Sequence, residues 1–349
     1  MNICTRCIVY YSVSILALIF MLSLFPAKAQ EQVNVYSYRQ PFLVEPLFAA
    51  FTRQTGVDVR VIYAKGLIER MVQEGRNSPA DVLLAVDIGS LSNAVIQGLT
   101  QPIVSELIDV NIPRSFRHPN NHWVGLTSRA RVVYASRDRV AQNSITYEEL
   151  AYSKWKGRIC TRSGQHVYTI ALIASMISHH GEENAKEWLR GLKANLARKP
   201  AGNDRAQIKS IFAGECDISL GNTYYMALML TNEKELEQKE WGQSVKIIMP
   251  NAADRGTHIN LSGVILAKNA PHRKNAVKLI EWLTGAEAQK IYADVNHEYP
   301  LSDGIDISDM VASFGDLHAD EISFDEIARY RKRASEIVDE VGFDEGLSF

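Results

Sequence analysis

Apolar residues alternate with polar ones from Val33 through Val35, so residues 33–37 predict a strand. Residues 46–55 switch to a helical period, with Leu47, Phe48 and Phe51 on one face and Gly56 placed to end the helix. A second strand is predicted over 57–63, a short helix over 67–74 ended by Gly75, and a buried strand over 81–86 after the Ser78-Pro79 break. This β-α-β-α-β order predicts a parallel sheet flanked by helices. The pattern restarts after Lys156-Gly157: a strand to Thr161, helices over 169–179 and 183–197, and a strand over 216–220. A second α/β unit is therefore expected. No low-complexity tract or long linker separates the two, so the crossings are expected to be short extended segments, 124–135 leaving the first unit and 257–267 returning to it. A helix over 274–293 and the tail beyond Tyr299 complete the pair.

The N-terminus reads differently. Arg6 precedes an apolar run from Ile8 to Phe25, followed by Pro26-Ala27-Lys28-Ala29-Gln30, a small-x-small pattern that predicts a cleaved signal peptide over 1–29 and export, in preference to a membrane anchor, for which the run is only just long enough. Cleavage removes two cations from the 38 lysines and arginines and none of the 40 acids, which leaves a mildly acidic chain and argues against nucleic acid as a partner. What remains of the 349 residues exceeds the roughly 250–300 that one hydrophobic core supports, which again points to two domains. Cys4 and Cys7 leave with the leader. Cys160 and Cys216 remain, each beginning an apolar strand-like run, and their pattern allows either a disulfide or two buried thiols.

Ligands of open parallel sheets bind beyond the carboxyl ends of strands, which directs attention to three segments. Gly221-Asn222-Thr223-Tyr224-Tyr225-Met226 follows one strand, Arg162-Ser163-Gly164-Gln165-His166-Val167-Tyr168 another, and Tyr36-Ser37-Tyr38-Arg39-Gln40-Pro41 a third. Adjacent tyrosines at a strand end can both face a cleft if the turn breaks the alternation of faces. The second segment sets a guanidinium and small residues ahead of a helix N-terminus, a common anion setting. His179-His180, at a helix end before Gly181, reads as a solvated loop, and His297-Glu298-Tyr299-Pro300 lacks the second histidine of a zinc-protease helix and reads as structural.

These segments, together with Gly125-Leu126-Thr127-Ser128-Arg129-Ala130-Arg131, Gly202-Asn203-Asp204 and Gly256-Thr257-His258-Ile259-Asn260-Leu261-Ser262-Gly263, resemble the ferric-ion-binding proteins of bacterial ABC transporters. The resemblance runs over the whole chain after the leader. It implies a two-lobed, type II-like periplasmic-binding-protein fold, each lobe a mostly parallel sheet flanked by helices and joined by crossing hinge strands. The lobes would be 30–128 plus 257–300 and 129–256 plus 301–349. It also implies that Tyr168, Tyr224 and Tyr225 bind Fe3+, that Arg129 holds a synergistic carbonate or bicarbonate, and that a monomeric carrier delivers iron to an inner-membrane ABC permease. Many relatives place His-Tyr where this chain has Gln40-Pro41, so Tyr38 and Gln40 are the candidate contacts from the first lobe.

The chemistry suits those residue types. Ferric iron is hard and highly charged and favours anionic oxygen. A bound cation stabilises phenolate against a free pKa of about 10. Three phenolates balance Fe3+, an added anion makes the centre negative, and a planar guanidinium is suited to pair with that anion. Protonation or reduction to Fe2+ would loosen the site. The alternative function is a solute-binding protein for an oxyanion, polyamine or organic acid. No nucleophile elbow, zinc-ligand pair or spaced carboxylate set is present, which argues against an enzyme.

Overall fold

A computed structural model describes residues 31–346; the leader read over 1–29 lies outside the described residues. Strand β1 (Gln32–Ser37) pairs in parallel with β2 (Asp58–Tyr63) and with β3 (Val82–Ala85). Helix α1 (Pro41–Thr55) joins β1 to β2, and α2 (Leu67–Glu74) leads toward β3. Alternate residues of β3 enter different cores: Val82 and Leu84 pack with Val33, Val35, Leu47 and Phe51, while Leu83 and Ala85 pack with Leu67, Ile88 and Leu91. The strand is buried on both faces, as a sheet covered by helices requires. Helix α1 begins five residues earlier than its apolar period indicates, because Pro41 fits the first turn, where no amide hydrogen is needed, and Pro46 is carried inside. Its end is as expected: Gly56 turns at φ 72° and donates to Thr52 O.

The two extended crossings are strands, and the short β4 (Thr100–Gln101) pairs with the end of the returning one. Strand β5 (Val124–Ser136) pairs through 124–130 with β9 (Ile259–Ala267), and β9 pairs with β3, both antiparallel. The other half of β5, from Arg131 to Ser136, pairs with β7 (Ile218–Asn222) and β8 (Val245–Ile248), and β7 carries β6 (Ile159–Cys160) in parallel at the far edge. The path β2-β1-β3-β9-β5-β7-β6 is thus a mixed sheet in two parts that share β5. Cys160 and Cys216 form a disulfide between β6 and the residue pair ahead of β7, with Cα atoms 5.8 Å apart.

Helix α3 (Ile88–Ile96) follows β3, and α5 (Val167–His180) follows β6 after the short α4 (Glu106–Asn111) has passed. Helices α6 (Glu182–Ala194) and α7 (Asp204–Phe212) lead to β7, and α8 (Thr223–Leu230) starts where β7 ends. After α9 (Leu236–Gln243) and β9, the helix expected over 274–293 is broken at Gly285 into α10 (Arg273–Thr284) and α11 (Ala286–Asp294). Gly285 there is extended and caps the second helix. The short α12 (Asp309–Ala312) precedes the 18-residue α13 (Phe324–Val341), which packs along α5 and against α3. His179 and His180 are the last two residues of α5 rather than a loop; still partly exposed to solvent, they pair with Asp320 at 2.7 Å and Glu148 at 2.6 Å.

Candidate metal centre

Tyr168, Tyr224 and Tyr225 meet in one small cluster, 8, 5 and 7 % exposed, with Val167 and Leu228 packed against it. Each comes from the first turn of a helix. Tyr168 is the second residue of α5, whose N-cap His166 accepts a hydrogen bond from the Tyr168 amide at 3.2 Å and lies edge-on to its ring at 4.7 Å. Tyr224 and Tyr225 open α8, so consecutive side chains turn by about 100° rather than flip between faces. This is how adjacent tyrosines share one cleft: their ring centroids are 4.1 Å apart. Burial, then the nearby Tyr168 phenol, raises the Tyr224 and Tyr225 hydroxyls above their ordinary range. These two phenols therefore resist ionisation unless a cation sits beside them.

Behind the phenols stand arginines. The guanidinium carbons of Arg129, Arg131 and Arg162 lie 5.5, 6.0 and 5.4 Å from the Tyr168 ring centre, and Arg205 lies 5.0 Å over Tyr225. Two buried acids hold this cationic wall. Asp204, fully buried, accepts from Arg131 at 3.0 Å, Arg162 at 2.8 Å and the Asn222 amide at 2.9 Å. Burial alone would raise its carboxyl; the two guanidinium groups outweigh that and hold it below the ordinary value. Because Asn222 is the last residue of β7, Asp204 also fixes the start of the tyrosine helix. Glu298 is likewise fully buried, forked to Arg39 at 2.8 and 2.9 Å and bonded by Thr127 at 2.8 Å, with Arg129 at 3.5 Å. Burial opposes its charge, and Arg39 and Arg129 overcome it.

The cleft measures about 320 Å³ and is lined by the three tyrosines and by Tyr38, Gln40, Arg162 and Arg205, among others. Tyr38 is half-buried and its hydroxyl accepts the Ile68 amide at 2.9 Å; Gln40 is exposed at the N-cap of α1 and makes no capping bond. Both reach the cleft from the first part of the sheet, opposite the tyrosine cluster. Arg129 is deeper. Its terminal nitrogens donate to Val86 O and Ser262 Oγ, and its Nε has no partner among the described residues. Arg131 Nε and Nη2 and Arg162 Nε are likewise buried without partners there, so the wall retains donors that face no protein acceptor. Among the described residues no group of three or more His, Cys, Asp or Glu is arranged to hold a metal, so the hard oxygen donors at this cleft are phenols. Glu298 was not legible as a site residue, and Asp204 was legible only as a candidate hydrogen-bonding group near the cleft. Arg39 and Glu298 lie 259 residues apart in the chain, and the one sequence hint, Asp204 beside Asn203, reads equally as a helix cap, a role Asn203 in fact fills by accepting from the Ala206 amide at 3.0 Å.

The model of the bacterial extracellular solute-binding proteins matches residues 77–313. This chain belongs to that family. Among other members, iron uptake protein A1 of Synechocystis is 42% identical over 90% of this chain and 88% of its own length. The apo ferric ion-binding protein A of Pasteurella haemolytica is 48% identical, with a TM-score of 0.87 over 90% of this chain and 98% of that one. A Trichodesmium protein solved with iron and citrate ligands is 40% identical, with a TM-score of 0.84 over 89% and 99%. The solute-binding fold is two-lobed and type II-like, and these relatives carry the names of iron-binding and iron-uptake proteins rather than of enzymes.

Proposed function

We propose that this solute-binding protein captures ferric iron in the periplasm with the phenolates of Tyr168, Tyr224 and Tyr225 and delivers it to an inner-membrane ABC permease as a monomer. The observation that carries the proposal is the convergence of three buried phenols from two helix N-termini on one cleft backed by arginines. Fe3+ supplies the positive charge that makes those phenols ionise, and three phenolates balance it. The remaining positions go to an oxyanion, carbonate or bicarbonate, drawn by Arg129 and by the unpaired guanidinium donors beside it. Tyr38 and Gln40 close on the ion from the first lobe. The lobes are 30–128 plus 257–300 and 129–256 plus 301–349, and β5 and β9 form the hinge between them. The names of the relatives, and the iron and citrate on the Trichodesmium protein, support the same reading.

The test is retention of Fe3+ against EDTA, with Tyr168→Phe, Tyr224→Phe and Tyr225→Phe taken singly. Each variant is expected to lose iron to a chelator concentration that the parent withstands, while phosphate, spermidine and organic acids leave the parent's melting temperature unchanged. Equal retention by all three variants, or strong thermal stabilisation by one of those other solutes without iron, overturns the proposal.

A further inference from the structure

Helix α3 has a glycine, Gly89, in its first turn. Its φ is outside the left-handed region, so the backbone does not demand glycine there, and alanine is the better helix former. The space does demand it: a Cβ at position 89 would fall on Nε and Cζ of Arg331. Arg331 belongs to α13, which packs along α5, and its side chain is 17 % exposed. It reaches across Gly89 to form an ion pair with the fully buried Asp87 at 2.9 Å, and it donates to the Val167 carbonyl at 3.2 Å.

Both partners are placed at the cleft. Asp87 is the N-cap of α3, bound by the Gly89 amide at 3.0 Å and the Ser90 hydroxyl at 2.6 Å, and it follows Val86, whose carbonyl receives Arg129. Val167 immediately precedes Tyr168 and opens α5. One guanidinium therefore ties the end of β3, in the first part of the sheet, to the helix start that aims Tyr168, in the second. We propose that Arg331 is a positioning residue that latches the two lobes across the cleft, and that Gly89 is the gap through which it reaches. Neither Asp87 nor Arg331 supplies a donor to the ion. The latch acts by holding the two walls of the cleft together and fixing the first turn of α5. Its effect on iron rests on the ferric reading; its effect on shape does not.

Three variants separate these effects: Arg331→Met removes the charge, Gly89→Ala displaces the side chain but keeps it, and Arg329→Ala changes an exposed arginine on the same helix as a control. Small-angle X-ray scattering of the ligand-free proteins is expected to give a larger radius of gyration for the first two than for the parent and the control. Transfer of Fe3+ to EDTA, followed by stopped flow, is expected to accelerate in the same two by a factor within the roughly 5–150 typical of coupling between sites. An unchanged radius overturns the latch, whatever the release rate does. A larger radius with unchanged release shows a structural tie and overturns the positioning role. A parent that takes up no Fe3+ overturns the ferric reading, while the scattering still decides the latch.

Discussion

His258 lies at the start of the returning crossing, 1 % exposed, with neither ring nitrogen bonded among the described residues. Burial, then the charges of Arg131, His179 and Arg255, push its pKa down from 6.5 to about 3. Between those values the unfolded chain binds a proton that the folded chain refuses, so stability rises with pH across the window, is complete above 6.5 and is lost progressively as pH falls toward 3. His258→Leu is expected to make the slope of unfolding free energy against pH shallower there, by up to about 1.4 kcal/mol per pH unit. Urea melts of variant and parent between pH 6.5 and 4 check this; parallel slopes would show that the buried ring contributes nothing. At the same scale, the tyrosines were legible from the chain because Tyr224 and Tyr225 are adjacent and Tyr168 lies in a recognisable segment. Their supports were not. Asp204 joins Arg131, Arg162 and Asn222, and Glu298 joins Arg39 and Thr127, through contacts that no local window contains.

Two β-strands deliver the tyrosine helices, and the Cys160–Cys216 disulfide ties them together just before those helices begin. The bridge spans 56 residues, and cross-links of that kind contribute about 2–4 kcal/mol, largely by restricting the unfolded chain. Replacing both cysteines by alanine is expected to lower the denaturant midpoint accordingly; an unchanged midpoint would mean that the strands are held by their pairing alone. The sequence left disulfide and free thiols equally open, since only the parallel pairing of β6 with β7 sets the two sulfurs side by side. Helix α2 was read to the residue because Gly75 ends a clear amphipathic turn. Helix α8 was missed because Thr223–Ala227 and Met229 are all buried: a helix buried all round shows no polar face for a period to mark.

Across the whole molecule, the restart of the α/β pattern after Gly157 and the two extended crossings made the division into two units legible. The course of the tail was not, because the amphipathic pattern of α13 says that one face is buried but not that α5 and α3 bury it. If the two lobes close on Fe3+ held by phenolates, the protein itself reports the event. The most direct measurement is the visible absorption of the leader-free protein titrated with ferric citrate in bicarbonate buffer, beside a variant carrying Tyr224→Phe and Tyr225→Phe. A phenolate-to-iron charge-transfer band that saturates near one equivalent and is lost in the double variant is the predicted result. A parent protein that develops no such band, or a double variant that keeps it undiminished, would contradict tyrosine ligation.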